Sequence, residues 1–129
     1  MIDKDYEKER RRQARLERLG SNDPKCLLCN EDDPSCLERH HLSGRAFGDD
    51  CVVICRNCHR KLSDKQKDHP KVLADTPSTI ECFGRLLLGV ADALELWKVP
   101  PALVDLIRQA GTQLIEYGQT SRPCEGEQS

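Results

Sequence analysis

The stretch from Cys26 to His59 decides the fold, and it reads CLLCNEDDPSCLERHHLSGRAFGDDCVVICRNCH. Two Cys-x-x-Cys pairs bracket a double histidine, and a further histidine follows the last cysteine directly. The paired cysteines are Cys26, Cys29, Cys55 and Cys58. Each x-x spacing lets two sulfurs from one turn reach the same metal at about 2.3 Å, and four thiolates suit a closed tetrahedral site. We therefore expect these side chains to hold a structural Zn²⁺.

The composition of the chain predicts a small core that needs a metal or disulfides. Only 37% of the 129 residues are hydrophobic, so the apolar core is modest, and small domains of this kind commonly need one or the other to offset chain entropy. The N-terminal sequence MIDKDYEKERRRQ has no apolar segment that would direct secretion, so we expect a cytoplasmic protein. No apolar run is long enough to span a bilayer, and no membrane partner is expected. Disulfides and a thioredoxin-like redox motif are the alternatives that the cysteine pairs leave open.

Charge is distributed unevenly along the chain. The formal net charge is −2, which argues against a protein that coats nucleic acid through bulk electrostatics. Residues 8–18 nevertheless hold six basic and two acidic side chains, whereas residues 80–129 hold four basic and seven acidic ones. Any contact with phosphates is therefore expected in the first two-thirds of the chain.

The N-terminal segment, residues 1–24, predicts a charged helix over residues 3–19 that stops at Gly20. Opposite charges recur there at helical spacing, as on a solvent-exposed helix. Two interpretations stay open: a solvated helix, or a basic arm that lies along a nucleic-acid backbone.

Residues 25–70 form the cysteine–histidine module. Short apolar stretches predict strands over Leu37–Leu42 and Cys51–Ile54, joined by the loop SGRAFGDD. A helix is predicted over Arg56–Lys67, and His69-Pro70 ends it because the residue before a proline avoids helical geometry.

Residues 71–118 predict a helical hairpin, followed by a loose tail over residues 119–129. Ser78 and Glu81 fit a capping box at its start, and Pro100-Pro101 separates the two helices. Each helix carries an apolar stripe with steps of four and three, and the two stripes are expected to face each other. The stripes are Phe83, Leu87, Val90, Leu94 and Trp97, then Leu103, Ile107, Ala110, Leu114 and Tyr117. The hairpin is either a structural lid on the module or a homodimer surface.

The histidines suggest a second metal site. Three of the four histidines of the chain, His40, His41 and His59, lie within twenty residues and beside Arg39 and Arg45. Imidazole ligands leave coordination positions open for water and for a phosphate oxygen. The alternative is that one histidine supports the zinc site and another is simply exposed.

The module resembles the His-Asn-His (HNH) endonuclease family, and in particular its subset with two zinc-binding Cys-x-x-Cys pairs. The residues that carry the resemblance are Cys-x-x-Cys, Glu-x-His-His before a loop of small residues, an apolar strand, and Cys-x-x-Cys-His, over roughly residues 25–68. The resemblance implies a ββα-metal module with a structural zinc. With the charged helix on one side of it and the helical hairpin on the other, we expect an α+β chain.

By position in this motif, the resemblance implies that His40 and His59 bind a catalytic divalent metal, Mg²⁺ or another cation. It also implies that His41 is the general base which takes a proton from the attacking water. Histidine suits that role because it titrates near neutral pH. Arg39, Arg45 and Arg60 are candidates to clamp substrate phosphates.

One residue departs from the family pattern. The family's asparagine before the second strand falls on Asp50, which is expected either to orient the loop or to serve as an acidic ligand. An ionised aspartate accepts hydrogen bonds but does not donate them. The leading hypothesis is a metal-dependent endonuclease that acts on DNA. The alternatives are a non-catalytic, zinc-stabilised module that binds nucleic acid or protein, and a protein that assembles through its hairpin.

Overall fold

The computed structural model describes residues 3–120, and it has an α+β architecture. Its elements are α1 (Lys4–Leu19), a 3₁₀ turn (Pro34–Cys36), β1 (Leu37–His40), β2 (Val52–Cys55), α2 (Arg56–Gln66), α3 (Thr79–Leu96) and α4 (Pro101–Thr120). The described chain divides into two compact units. The first unit takes in the described residues up to His40 together with Cys51–Lys61, and the second takes in His41–Asp50 together with the described residues from Leu62 onward.

In the first unit, α1 covers the 3₁₀ turn and β1 with one narrow apolar face. The Asp3 carboxylate caps the helix by accepting from the Asp5 amide at 3.0 Å. Gly20, at φ 77°, closes the other end in the left-handed conformation that glycine adopts without strain. Leu16 and Leu19 are the buried residues of the helix, and most of its charged side chains are exposed.

The strands β1 and β2 form an antiparallel ladder in the register Leu37↔Cys55, Glu38↔Ile54, Arg39↔Val53 and His40↔Val52. The strand β1 is two residues shorter than the sequence predicts, because a turn begins at His41, whose carbonyl accepts from the Gly44 amide at 3.1 Å. Helix α2 starts directly after β2, so Cys55 and Cys58 lie on either side of the junction. Leu37 and Ile54 are buried in this unit.

In the second unit, α3 and α4 pack against each other through glycines. A Cβ atom added at Gly84 would lie 2.7 Å from the Gly111 carbonyl oxygen, and one added at Gly111 would lie 2.8 Å from the Gly84 carbonyl oxygen. The same crowding occurs at Gly118, where a Cβ atom would lie 2.8 Å from the Glu81 amide nitrogen. The two helix backbones therefore approach more closely than side chains would allow.

The prediction that the two apolar stripes face each other is wrong. Phe83, Trp97, Leu103 and Tyr117 are about half exposed, and no residue of either stripe is fully buried. The faces that meet are instead built around Gly84, Leu88 and Ala91 of α3 and Val104, Gly111, Ile115 and Gly118 of α4. Large side chains hold helix axes 8–10 Å apart in ordinary packing, whereas glycines permit a closer fit. The sequence pattern thus identified a genuine apolar face, but assigned it to the wrong contact.

Buried polar side chains join the loops of the second unit to α3. Arg85 and Glu81 form an ion pair in which both side chains are 3% exposed. The Arg85 guanidinium also donates to the Pro70 carbonyl at 2.8 Å and lies 4.2 Å from the centre of the Phe47 ring. Because burial removes the ion pair from water, these additional hydrogen bonds replace the ones that water would otherwise make to the two charged groups.

The hairpin extends slightly further along the chain than the sequence predicts. Helix α4 continues through Thr120, so Gln119 and Thr120 are helical rather than part of the predicted loose tail, while residues 121–129 lie outside the described residues. Residues 3–120 contain no helix long and apolar enough to cross a membrane.

We expect Gly111→Ala to destabilise the protein by about 1–3 kcal/mol, although alanine is intrinsically the better helix former, because its methyl group would press on the backbone of α3. Chemical denaturation of the purified variant measures this. Gln113→Ala, at an exposed position in the same turn, serves as the control and should change stability by no more than about 0.5 kcal/mol. An unchanged or higher stability of Gly111→Ala would contradict the close approach of the helices.

Candidate functional site: a four-cysteine centre and a histidine cluster

The four paired cysteines meet in the first unit. The sulfur atoms of Cys26, Cys29, Cys55 and Cys58 all lie within 4.8 Å of one another. Three of the residues are buried and Cys29 is exposed. The seven described cysteines are all free thiols. Four sulfurs at this separation have the number and chemistry of a structural metal site such as that of zinc.

Backbone hydrogen bonds bring the first pair to the second. The Cys26 amide donates to the Glu31 carbonyl at 2.8 Å, and the Asn30 amide donates to the Cys26 carbonyl at 3.0 Å, so the segment folds into a tight knuckle. Asn30 takes a positive φ of 65°, which asparagine tolerates better than most residues. The Leu27 amide then donates to the Val53 carbonyl of β2 at 3.0 Å, which fixes the knuckle beside the second pair.

Amide groups also point at the sulfurs. The Leu28 amide lies 3.4 Å from Cys26 Sγ, and the Cys58 amide lies 3.5 Å from Cys55 Sγ. Burial by itself raises the pKa of the Cys26 thiol, but hydrogen bonds from the backbone N–H groups of Cys55, Leu28 and Cys29 lower this pKa to about 7. Burial and the neighbouring sulfurs raise the pKa of Cys58 well above its usual value. Four thiolates cannot share this space unless a cation neutralises them.

The two predicted ligands of the catalytic metal, His40 and His59, are brought together in the first unit. Their ring centroids are 5.0 Å apart with an interplanar angle of 65°. His40 is buried at the end of β1, and His59 lies in the first turn of α2, one residue after the zinc-ligand candidate Cys58. The junction of β2 and α2 carries Cys55 and Cys58 of the four-cysteine centre, and it therefore also sets the position of His59.

Glu38 contacts His59 of this pair, and the sequence motif does not predict this contact. Its Oε1 lies 2.6 Å from His59 Nδ1. A carboxylate partner at Nδ1 favours the tautomer with the proton on that nitrogen, which leaves Nε2 as a lone-pair donor. The signal was available in the sequence, because residues two apart on a strand share a face and Glu38 lies two before His40. Among residues 3–120, the four cysteines are the only group of three or more candidate ligands within 4.8 Å of one another.

His41 and Asp50 begin and end a loop of the second unit, residues 41–50. The Gln66 side-chain amide donates to the carbonyls of His41 and Leu42, at 2.8 and 3.2 Å. The Asp50 carboxylate accepts from the Ser43 amide at 3.2 Å and from the Ser43 hydroxyl. Asp50 therefore closes the loop that begins at His41. The His41 side chain is half-buried.

The three arginines proposed as phosphate contacts are all exposed, on β1 (Arg39), in the 41–50 loop (Arg45) and on α2 (Arg60). Arg39 lines a cavity of about 770 Å³ in the first unit, which we call the arginine groove, and Arg60 does not line it. Three arginines that the sequence did not single out line the same cavity: Arg15, Arg18 and Arg56. The basic run over residues 8–18 was recognised, but its packing beside β1 is a tertiary contact that the pattern does not encode.

Comparison of the chain with models of known protein families, with curated proteins and with solved structures found no match. The resemblance to HNH endonucleases therefore depends on the motif residues between Cys26 and His59 and on their arrangement.

Proposed function

We propose that this chain is a zinc-stabilised, metal-dependent endonuclease of the HNH type that hydrolyses phosphodiester bonds in DNA. The observation that carries the proposal is the cluster of Glu38, His40 and His59 built directly onto the four-cysteine centre. A structural metal site and an imidazole pair on one small framework are what a ββα-metal nuclease needs. The fold supports the coarse architecture, since a two-stranded antiparallel sheet leads directly into a helix.

Zinc is the metal that we assign to the four-cysteine centre. Four thiolates fill a tetrahedral shell, so no position remains for catalysis, and the ion is structural. It would tie the Cys26–Cys29 knuckle to the β2–α2 junction, in a unit whose apolar core is small. Such sites in small metallo-domains are worth about 10–16 kcal/mol, which is enough to decide whether the domain folds.

His40 and His59 are the residues that would hold the catalytic divalent metal, Mg²⁺ or a related cation. When bound, such a cation neutralises charge on the scissile phosphate and lowers the pKa of a coordinated water. Glu38 fixes the ring of His59 and directs Nε2 away from the carboxylate. With two imidazoles and few other protein ligands, waters would complete the coordination shell.

His41 is the proposed general base, next to His40 in the chain. A neutral imidazole accepts the proton of the attacking water as the water oxygen bonds to phosphorus. The bond from phosphorus to the leaving oxygen breaks, that oxygen takes a proton from solvent, and the imidazole returns its own proton to solvent. Asp50 is a positioning residue, because it accepts both hydrogen bonds that Ser43 offers and so holds the loop from its far end. An asparagine at this position would accept from the Ser43 amide and donate to the hydroxyl, so either residue can close the loop.

The partner of the proposed enzyme is nucleic acid, and DNA is the class that the family resemblance implies. The proposed compartment is the cytoplasm, where a reducing environment keeps paired cysteines available for zinc.

A second candidate function is a zinc-stabilised module that binds nucleic acid or protein without catalysis. One observation favours it: within residues 3–120, His40 and His59 form no group with a third His, Cys, Asp or Glu side chain whose ligand atoms all lie within 4.8 Å of one another. Catalytic metals are usually held by more than two protein groups when substrate is absent.

Wild-type protein with Mg²⁺, Mn²⁺ or Ni²⁺ is expected to nick or linearise supercoiled plasmid DNA. His41→Ala should lower the rate by roughly 10²–10⁴-fold, the usual contribution of a general base. Agarose-gel quantification of nicked and linear products over time measures both rates.

The matched control for this experiment is His69→Gln, which removes the one histidine outside the motif. His69 bonds to Asp92 in the second unit at 2.8 Å and has no proposed catalytic role. Thermal unfolding confirms that each variant is folded at the assay temperature. Intact plasmid with the wild type and all three metals would rule out the enzyme and leave the binding module.

The purified protein is expected to contain one zinc per chain, and Cys58→Ser should lose that zinc and unfold the first unit. Cys36→Ser is the control, because Cys36 lies in the same unit but outside the four-cysteine centre. Elemental analysis after dialysis gives the metal content, and circular dichroism during chelator titration gives the folded fraction. Equal zinc content in the two variants would contradict the assignment.

A further inference from the structure

The arginine groove is a concave, positively charged surface in the first unit. Arg15 and Arg18 come from the last turns of α1, Arg39 from β1, and Arg56 from the start of α2. Glu38 is the single acidic residue among the described residues that line it. The groove therefore concentrates positive charge in a chain whose formal net charge is −2.

The arginines of the groove are largely unneutralised. The side chains of Arg18 and Arg39 are exposed and make no hydrogen bond or ion pair with any residue between 3 and 120. Arg56 lies 3.8 Å from the Glu38 carboxylate, but its side chain is 73% exposed, so the pair is weak. A surface that serves stability alone would pair these charges as the exposed face of α1 pairs Arg11 with Glu7.

We infer that the arginine groove binds the phosphodiester backbone of double-stranded DNA and leads it to His59, which lines the same cavity. This inference rests on the proposed function and deepens it, since it adds Arg15, Arg18 and Arg56 to the substrate contacts. Guanidinium groups match phosphate oxygens in a bidentate geometry. Arg15 and Arg18 are one turn apart on α1, so their Cβ atoms are about 5–6 Å apart and can contact neighbouring phosphates.

The lining of the groove favours a duplex over a single strand. Sites for single-stranded nucleic acid present aromatic side chains on which bases stack. No Phe, Tyr or Trp is among the described residues that line this cavity. The four guanidinium groups of the groove suit phosphate oxygens, and phosphate contacts carry no sequence information, so binding through them is expected to be independent of sequence.

Fluorescence anisotropy with a short DNA duplex tests this inference. The measurements use the His41→Ala protein without added divalent metal, so that no cleavage occurs, over a range of salt concentrations. Each phosphate contact adds about 0.9 to the slope of log Kd against log salt concentration. Arg18→Ala and Arg39→Ala, which change two different elements, should each lower the slope by about 1 and weaken binding to every duplex sequence alike.

Arg10→Ala is the matched control, because Arg10 is an exposed arginine on the same helix that does not line the groove. It should leave the slope unchanged. Slopes that do not differ between Arg18→Ala, Arg39→Ala and Arg10→Ala would overturn the inference, and tighter binding to the single strand would overturn the duplex assignment. Plasmid cleavage is measured separately, so a protein that binds through the groove but never cleaves refutes the proposed function alone.

A second surface, in the second unit, supports an independent inference. The two apolar stripes of α3 and α4 step by four and three without interruption, which is the heptad spacing of helices that pack in bundles. Asp92 and Arg108 join α3 and α4 at 3.0 Å on one side of the hairpin. At about 100° per residue, both stripes fall on the opposite side of the two helices, so they form one continuous apolar face.

This apolar face is large and uncharged. Phe83, Trp97 and Tyr117 are 54%, 49% and 55% exposed, so the three rings alone leave roughly 300 Å² uncovered. Leu103, 52% exposed, and the partly exposed aliphatic residues of the stripes bring the face toward the ~800 Å² that each partner buries in a standard interface. None of the ten stripe residues is charged, and the charged residues next to them in sequence are of both signs: Glu95, Lys98, Arg108 and Glu116. Two copies of the face would therefore not meet as surfaces of a single charge.

We propose that a second copy of this chain covers the apolar face, and that the two hairpins form a four-helix bundle. A two-fold axis places the same stripes on both sides of the contact, which suits a face whose two halves repeat one heptad pattern. Sedimentation equilibrium at micromolar concentration should give about twice the chain mass of 14.6 kDa.

The double variant Phe83→Glu/Tyr117→Glu should be a folded monomer, since both side chains are more than half exposed within one chain. Val72→Glu/Leu73→Glu is the control: both residues are exposed and apolar, but they lie in the connection before α3, and this variant should stay dimeric. A monomeric wild type, or a dimer that survives the Phe83/Tyr117 substitutions, would overturn the proposal.

Discussion

The contact among four cysteine sulfurs is the constraint on which the first unit depends. It joins a knuckle near residue 26 to the junction of β2 and α2, and the same junction carries His59. The buried apolar residues of this unit are few, and α1 contributes only Leu16 and Leu19. A metal that gathers the sulfurs would therefore fix the strand pairing, the start of α2 and the separation of the histidines at once.

The second unit is stabilised differently, through close packing of its two long helices and through buried charged groups that are hydrogen-bonded. Its two long helices approach through glycines, which increases backbone contact without large side chains. Its loops are held by hydrogen bonds to buried charged groups, as in the pair of Arg85 and Glu81. These buried charges are satisfied, so they fix one arrangement of the loops even if they add little net stability.

The features that the sequence predicted are those encoded over a few residues. The Cys-x-x-Cys spacing, the cap at Ser78 and the stop at Gly20 are local, and each lies where the pattern placed it. The pairing of the hairpin faces was predicted wrongly, because hydrophobic periodicity shows which face is apolar but not what covers it. The contribution of Arg15, Arg18 and Arg56 to the arginine groove was missed for a related reason. Arg15 and Arg18 lie on α1 and Arg56 lies on α2, two elements distant in sequence that no local pattern connects.

Cysteine, histidine and arginine side chains lie at different places in the first unit, and the chemistry of each residue type suits it to a different role. The four cysteines of the four-cysteine centre offer soft sulfur ligands that suit zinc. Four of them would fill the coordination shell of the ion, so no position would remain for water. The imidazoles of His40 and His59 stay outside that centre, with Glu38 ordering one of them. Arginine, which stays charged at any physiological pH, lines the cavity beside His59. In the proposed enzyme, a polyanion attracted to the arginines would be brought to His59, the histidine of the pair that is not fully buried, so the arginines and the histidines would act on the same phosphates.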